Sequence, residues 1–334
     1  MAAGRSSVGS MEMRTLGRSG HKVSVVGLGA WQIGEAWGIV SEDDARDVVR
    51  SAVAAGITLI DTADVYGDGR SERIVGEVVG GSDVFVATKM GRRVEQRPEN
   101  YTLDNFRAWT DRSRRLLGVE SLDLVQLHCP PDPVFEDDSV FDALDTLVDD
   151  GAIRAYGVSV ETCAQALAAI ARPRVASVQI ILNCFRHKPL DEVLPAAQEA
   201  GVGIIARVPL ASGLLSGRYD ESTTFPADDH RTYNRHGESF DAGETFAGVP
   251  YEVGVAAARE LASLVPDGAT TAQFALRWII DQPGVTTVIP GARTGDQARA
   301  NAAAADPAPL SDDQRDGVRD VYDRLIRPHV HDRW

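Results

Sequence analysis

Asp61 and Tyr66 in the run LIDTADVYGDG, Lys89 in VFVATKMG and His128 in LDLVQLHCP are four residue types that together can protonate a carbonyl oxygen. Tyrosine ionises near pH ~10, so at neutral pH it is a proton donor, though a reluctant one. An ammonium beside it favours the phenolate and lowers that pKa, a task for Lys89. Asp61 is expected to keep Lys89 charged and in place. His128, donating from a ring nitrogen, is expected to fix the carbonyl oxygen next to the Tyr66 hydroxyl. A hydride arriving at the carbonyl carbon then meets an alkoxide that is already stabilised, and no metal is required. Taken singly, each residue also has an ordinary structural role: a salt-bridge partner, a packed loop tyrosine, a satisfied polar histidine. The chemistry needs all four in one place.

The elements around them predict that place. Each residue lies at, or just after, the end of a short apolar run of the kind that forms a strand buried on both faces. Eight such runs are read at 25–29, 57–61, 84–89, 122–128, 153–159, 177–182, 203–208 and 285–290. Amphipathic segments alternate with them, with helix starts read at Ser41, Ser71, Thr102 and Thr270. This alternation predicts an α/β fold, a (β/α)8 TIM barrel with its chemistry on the rim formed by the strand C-termini. Arg14–Thr15 and Lys22–Ser24 flank LGRSGH and predict an N-terminal hairpin that plugs the barrel bottom. The stretch after the seventh strand is far longer than the other connections and predicts a functional loop. The competing architecture is a doubly wound sheet with a second domain. No Pro/Gly/Ser-rich linker divides the chain, so one domain over 11–334 is expected, behind a disordered extension at 1–10. Gly27-Leu28-Gly29 hints at a dinucleotide fingerprint, but Gln32 stands where the third glycine belongs.

Composition narrows the function. The chain has 334 residues, of which 43% are hydrophobic, and carries a net charge of −15 without a block of Lys or Arg. Such a surface repels nucleic acid. No apolar run approaches the ~20 residues that span a bilayer, and MAAGRSSVGS lacks the apolar core of a secretory signal. Three unevenly spaced cysteines, Cys129, Cys163 and Cys184, form neither a disulfide framework nor a zinc ribbon. A cytoplasmic location is expected, with a small-molecule carbonyl substrate, no nucleic-acid partner and no membrane; the oligomeric state is left open. Among the histidines, His230, His236, His329 and His331 lack HExxH-like spacing and are expected to be solvated loop and tail residues rather than metal ligands. Cys129 is expected to be a small, buried filler.

DTADVYG followed by GRSER, ATKMG, LDLVQLH, GAIRAYGVSV and IPGARTGDQARAN together resemble the aldo-keto reductase superfamily over nearly the whole chain. The resemblance implies a cofactor, NADPH with NADH possible, bound extended across the barrel, and the tetrad Asp61, Tyr66, Lys89 and His128. It places Gly29, Ala30, Trp31 and Asp61 in the cofactor site. Ser159 and Gln179 fall on the nicotinamide carboxamide, although Val160 stands where the family often has Asn. Arg207 falls where many members stack a tyrosine on the nicotinamide; an arginine plane can also stack, and its other role is a salt bridge inside the barrel mouth. Pro209, Leu210, Ser212, Gly213 and Leu215 follow the pyrophosphate. Gly291, Arg293, Gln297 and Asn301 lie at the adenosine-phosphate end, where Gly291–Ala292 replaces a Lys-Ser pair and Gln297 an arginine. Trp31, Trp37, Tyr66 and His128 form the substrate wall. The implied activity is reduction of an aldehyde or ketone, with a regulatory cofactor-binding subunit as the alternative.

Overall fold

Ten strands make up two sheets in a computed structural model that describes residues 11–34 and 40–334. Trp37 and the extension at 1–10 lie outside the described residues. The first two strands, β1 (Met13–Thr15) and β2 (Lys22–Ser24), pair antiparallel as the expected hairpin. The other eight are β3 (Leu28–Gly29), β4 (Leu59–Asp61), β5 (Phe85–Met90), β6 (Leu124–His128), β7 (Tyr156–Ser159), β8 (Val175–Ile181), β9 (Gly203–Arg207) and β10 (Val285–Val288). They lie side by side in sequence order, all parallel. Parallel bridges from Val26 to Val288 and from Gly29 to Gly291 join the last strand to the first, which closes a (β/α)8 barrel.

Three runs enter the ladder later than their apolarity suggests. Ile57 and Ile153 donate their amides to Ala52 and Leu147, in the preceding helices, rather than to a neighbouring strand. Leu122 meets Ile153 only through an isolated bridge. These residues are buried all the same, so hydrophobicity marks the strand entrance while hydrogen bonding marks the strand.

Helix starts follow side-chain chemistry. Thr102 caps Leu103–Leu117, and Thr270 forms a complete capping box on Thr271–Ile280. Ser41 accepts the Asp44 amide at the head of Glu42–Ala54. Ser71 differs from expectation. The helix Arg70–Val79 begins after Gly69, whose φ of +93° makes the turn, and Ser71 already lies inside it. Its hydroxyl instead donates to the Ala30 carbonyl at 3.0 Å and accepts from Thr62 Oγ1 at 2.8 Å. That ties the helix to the rim beside Asp61.

The hairpin closes the bottom. Leu16 and Val23 pack on Leu59, Phe85, Leu124 and Ile205 from inside the barrel. At Gly17 a side chain would meet the Ala176 carbonyl and the Gly203 amide at 2.2 Å, so only glycine lets the turn approach. On the other rim, the long connection from β9 to β10 carries a turn at Ala211–Ser216, a short helix His230–Tyr233 and turns over 242–248, and then the helices Tyr251–Ala262 and Thr271–Ile280. Trp334 holds the turns down: its ring lies over Arg186 at 4.3 Å and against Gly248, and its indole N–H donates to Asp241 at 2.8 Å.

Candidate active site

Parallel register delivers the polar side chains to one level at the barrel mouth. Asp61 ends β4, His128 ends β6 beside Ser159, the last residue of β7, and Ser159 in turn is level with Gln179 of β8. Lys89 of β5 is level with Gln126 of β6. Within this ring Asp61 accepts three hydrogen bonds: Lys89 Nζ at 2.5 Å on one oxygen, Gln179 Nε2 at 2.7 Å and Gln126 Nε2 at 3.1 Å on the other. The three ammonium protons of Lys89 have three acceptors, Asp61, the Thr62 carbonyl at 2.9 Å and the Tyr66 hydroxyl at 3.4 Å. The cation is therefore fully partnered and aimed at the phenol.

Tyr66 stands between two rings. Trp31 stacks on it with centroids 6.3 Å apart, and His128 meets it edge-on at 6.0 Å. Gly34 makes the seat, since a side chain there would come within 2.7 Å of the Tyr66 backbone and Cβ. Burial pushes the Tyr66 pKa up, and Asp61 and Glu244 add to that; Lys89 and Arg92 pull it down by less. Lys89 lowers it as expected, but desolvation of the phenolate outweighs one shared ammonium, so the net shift is upward. Tyr66 is thus held as a phenol. Lys89 itself is raised: burial would lower it, but Asp61 and Tyr66 outweigh that. Burial, with Arg92, Lys89 and Arg207 nearby, holds His128 well below the usual imidazole range. It is neutral, and its buried Nδ1 has no protein partner. A neutral imidazole can still donate one N–H.

A groove of about 670 Å³ runs from this centre to the start of the helix Gly295–Ala302. Gly29, Ala30, Trp31, Asp61, Tyr66, Lys89 and His128 line its deep end. Ser159, Gln179 and Arg207 stand beside them, and Pro209, Leu210, Ser212 and Gly213 follow along the wall. Gly291, Arg293, Gln297 and Asn301 line the far end. Leu215 does not line it: its side chain is fully buried in the core, because the turn Ala211–Ser216 points Ser212 and Gly213 at the groove and Leu215 away from it. At the far end Asn301 donates to the Gly291 carbonyl and Gln297 accepts the Arg293 amide, so both brace the loop, while the Arg293 side chain is exposed.

Backbone conformation marks the same wall. Cys129, Val208, Ala211 and Ser212 all have φ near +50°, which costs about 1–3 kcal/mol per residue. Two of them directly follow His128 and Arg207, so the chain turns sharply as it leaves the strand.

Some residues at the mouth had a visible signal that went unread. Gln126 is one: in LDLVQLH it alternates with His128 on the interior face, a polar residue in an apolar run. Others come from separate segments. Arg92 reaches Glu161 at 3.3 Å and Glu244 at 3.0 Å, and Arg207 reaches Glu161 at 2.8 Å and the Val160 carbonyl at 3.0 Å. Arg207 thus makes the barrel-mouth salt bridge and lines the groove as well. His230, expected in solvent, is buried, with its ring 4.9 Å from Trp31 and Nε2 3.4 Å from Ser212. The long loop folds inward there because Phe240 also packs on Trp31, at 5.9 Å. Cys129 is buried, as expected of a filler.

The chain as a whole is similar to known proteins. An uncharacterised oxidoreductase of Mycobacterium tuberculosis is 36% identical over 319 residues, covering 92% of this chain and 91% of the relative. The solved glycerol dehydrogenase of Gluconobacter oxydans is 30% identical with a TM-score of 0.76, covering 97% of each chain. An aldo/keto reductase of Klebsiella pneumoniae, solved in complex with NADP and acetate, is 25% identical with a TM-score of 0.67 over 93% of this chain and 95% of its own. The aldo/keto reductase family model matches residues 25–323, and the chain belongs to that family of oxidoreductases.

Proposed function

We propose that this protein reduces a small aldehyde or ketone to the alcohol with NADPH, and that Tyr66 is the proton donor. The observation that carries the reading is the fully partnered Lys89, which joins Asp61 to the Tyr66 hydroxyl beside a neutral His128. The cofactor, when bound, supplies the hydride. The groove suits an extended dinucleotide: it is about 670 Å³, positive φ at Ser212 and Gly213 opens its wall, and the Thr294-capped helix presents free amides at its far end. Ser159 and Gln179 are placed to hold the nicotinamide carboxamide, and Arg293 to meet an adenosine phosphate.

The carbonyl oxygen sits between the Tyr66 hydroxyl and a His128 N–H. Both are neutral donors aimed at one point, so they stabilise the developing alkoxide more than the starting carbonyl. Tyr66 then gives up its proton to that oxygen, and Lys89 offsets the phenolate charge left behind. Asp61, with Gln126 and Gln179 on its second oxygen, keeps the ammonium from swinging away. Trp31 provides an apolar wall for the rest of the substrate.

Tyr66→Phe tests the assignment. Fluorescence titration should give NADPH binding within a few-fold of wild type, while turnover on a screened panel of simple aldehydes falls at least 10²-fold, the scale of one general acid. Near-normal turnover of the variant would remove Tyr66 from the role. Normal NADPH binding by wild type, with no turnover on any aldehyde or ketone and a co-purifying partner, would favour a regulatory subunit.

A further inference from the structure

Glu244 belongs to the long loop, yet it stands over the barrel mouth. Ser212 Oγ donates to its backbone carbonyl at 3.3 Å, and its carboxylate reaches Arg92 at 3.0 Å and Arg207 at 3.7 Å. The two arginines come from opposite sides of the barrel: Arg92 follows β5, the third barrel strand, and Arg207 ends β9, the seventh. They meet over the ends of β6 and β7, where Arg207 also donates to Glu161 at 2.8 Å and to the Val160 carbonyl at 3.0 Å. A carboxylate oxygen of Glu244 lies within 4.8 Å of the Cys129 sulfur, and Cys129 directly follows His128. Trp31 follows β3, across the barrel from β6 and β7. The space above Tyr66 and His128 therefore has an apolar wall on one side and a charged wall on the other.

The charged wall is neutral overall, with two guanidiniums on two carboxylates, so it favours neither an anionic nor a cationic substrate. What it offers is an acceptor. Both arginines reach Glu244 on the same oxygen, Oε1. Its Oε2 has no donor among the described residues, and Glu244 lines the groove with its side chain only 9% exposed. Burial would favour the neutral acid, but Arg92 and Arg207 outweigh that and keep Glu244 ionised. Glu161 differs: each of its oxygens is taken by an arginine, and it does not line the groove. An ionised oxygen facing a groove is satisfied by water until a substrate displaces it. An alkyl group then leaves the oxygen bare, whereas a hydroxyl takes the place of the water.

We propose that Glu244 Oε2 accepts a hydrogen bond from a hydroxyl carried beside the substrate carbonyl, so that the protein selects hydroxy ketones and hydroxy aldehydes over alkyl carbonyls of the same size. The inference rests on the reductase reading above and on the carbonyl lying between Tyr66 and His128. Glu244 is then a specificity-determining residue, and Arg92 and Arg207 position it by holding Oε1.

The test uses pairs that differ by hydroxyl against methyl, hydroxyacetone with butanone and glycolaldehyde with propanal, reduced by the full chain with NADPH. In wild type kcat/KM should favour the hydroxyl member of each pair by at least about tenfold. A hydroxyl also activates its neighbouring carbonyl, so the deciding quantity is how that ratio changes on substitution. In Glu244→Gln the amide oxygen still serves the arginines and an NH2 group faces the groove, so the ratio should fall about tenfold. Glu161→Gln, in the same cluster but away from the groove, should keep the wild-type ratio. A wild type without preference in either pair would overturn the proposal on its own, and so would equal falls in both variants. A Glu244→Gln protein that keeps the ratio but loses NADPH affinity would also overturn it, because Oε2 would then serve a ribose hydroxyl of the cofactor. All three results leave the reductase reading intact. A wild type that turns over no aldehyde or ketone would instead overturn that reading, and this proposal with it.

Discussion

Asp64, two residues before Tyr66, is buried with neither carboxyl oxygen hydrogen-bonded. Burial and the nearby Glu72 push its pKa from 3.8 up to about 7, against the weaker pull of Arg93 and Arg112. The consequence for stability has a definite sign. In the unfolded chain the carboxyl ionises from about pH 4, whereas in the fold it stays protonated until about pH 7. The fold therefore loses stability as pH rises through that window, and the loss is complete above it. A shift of about three units is worth about 4 kcal/mol at pH 8 and above, about 1.5 kcal/mol at pH 5, and nothing at pH 3. Asp64→Asn removes the titration. Its buried amide costs something of its own, but that cost does not depend on pH. Equilibrium urea unfolding of both proteins should show the variant gaining about 2–3 kcal/mol on wild type between pH 5 and pH 8. A stability difference that stays constant across this range would refute the argument, and so would one that moves in wild type's favour.

Three further outcomes follow from the packing. Gln126→Leu leaves one oxygen of Asp61 with a single donor, and a hydrogen bond to a charged group is worth about 1.5–3 kcal/mol; kcat should fall about tenfold or more, with the KM for NADPH nearly unchanged. Gly34→Ala forces a contact of 2.7 Å on Tyr66, so kcat should drop by at least tenfold while far-ultraviolet circular dichroism stays the same, and an unaffected kcat would show that the loop yields freely. Trp334→Ala removes a buried ring and the Asp241 bond, which should cost about 3–5 kcal/mol and expose the turns at 242–248 to limited proteolysis before the rest of the chain.

The barrel was legible because its strands are predominantly apolar and its helices carry recognisable caps. Local patterns also placed Asp61, Lys89 and His128 at strand ends, whereas Ser159, Gln179 and Arg207 were picked out by the resemblance to the aldo-keto reductases and not by their strand positions. What escaped was set by convergence. Glu161 and Glu244 are 83 positions apart in sequence and look like surface acids until the fold joins them between two arginines. The sign of the Tyr66 shift escaped for a related reason: a sequence lists neighbours but not how much water they exclude. His230 was misplaced because polar, glycine-rich sequence reads as solvated, whereas Trp31 and Phe240 draw it inward. Ser71 looked like a cap by type, but Gly69 turns the chain earlier and frees the hydroxyl to tie the helix to the rim.

The hairpin that plugs the barrel bottom also governs traffic. A vessel stopped at one end has a single doorway, so cofactor, substrate and product must all pass the rim loops in turn. Changes in those loops that slow departure should slow arrival too, because both use the same opening. Changes in the hairpin, such as at Gly17, have no doorway to act on and should register in stability alone.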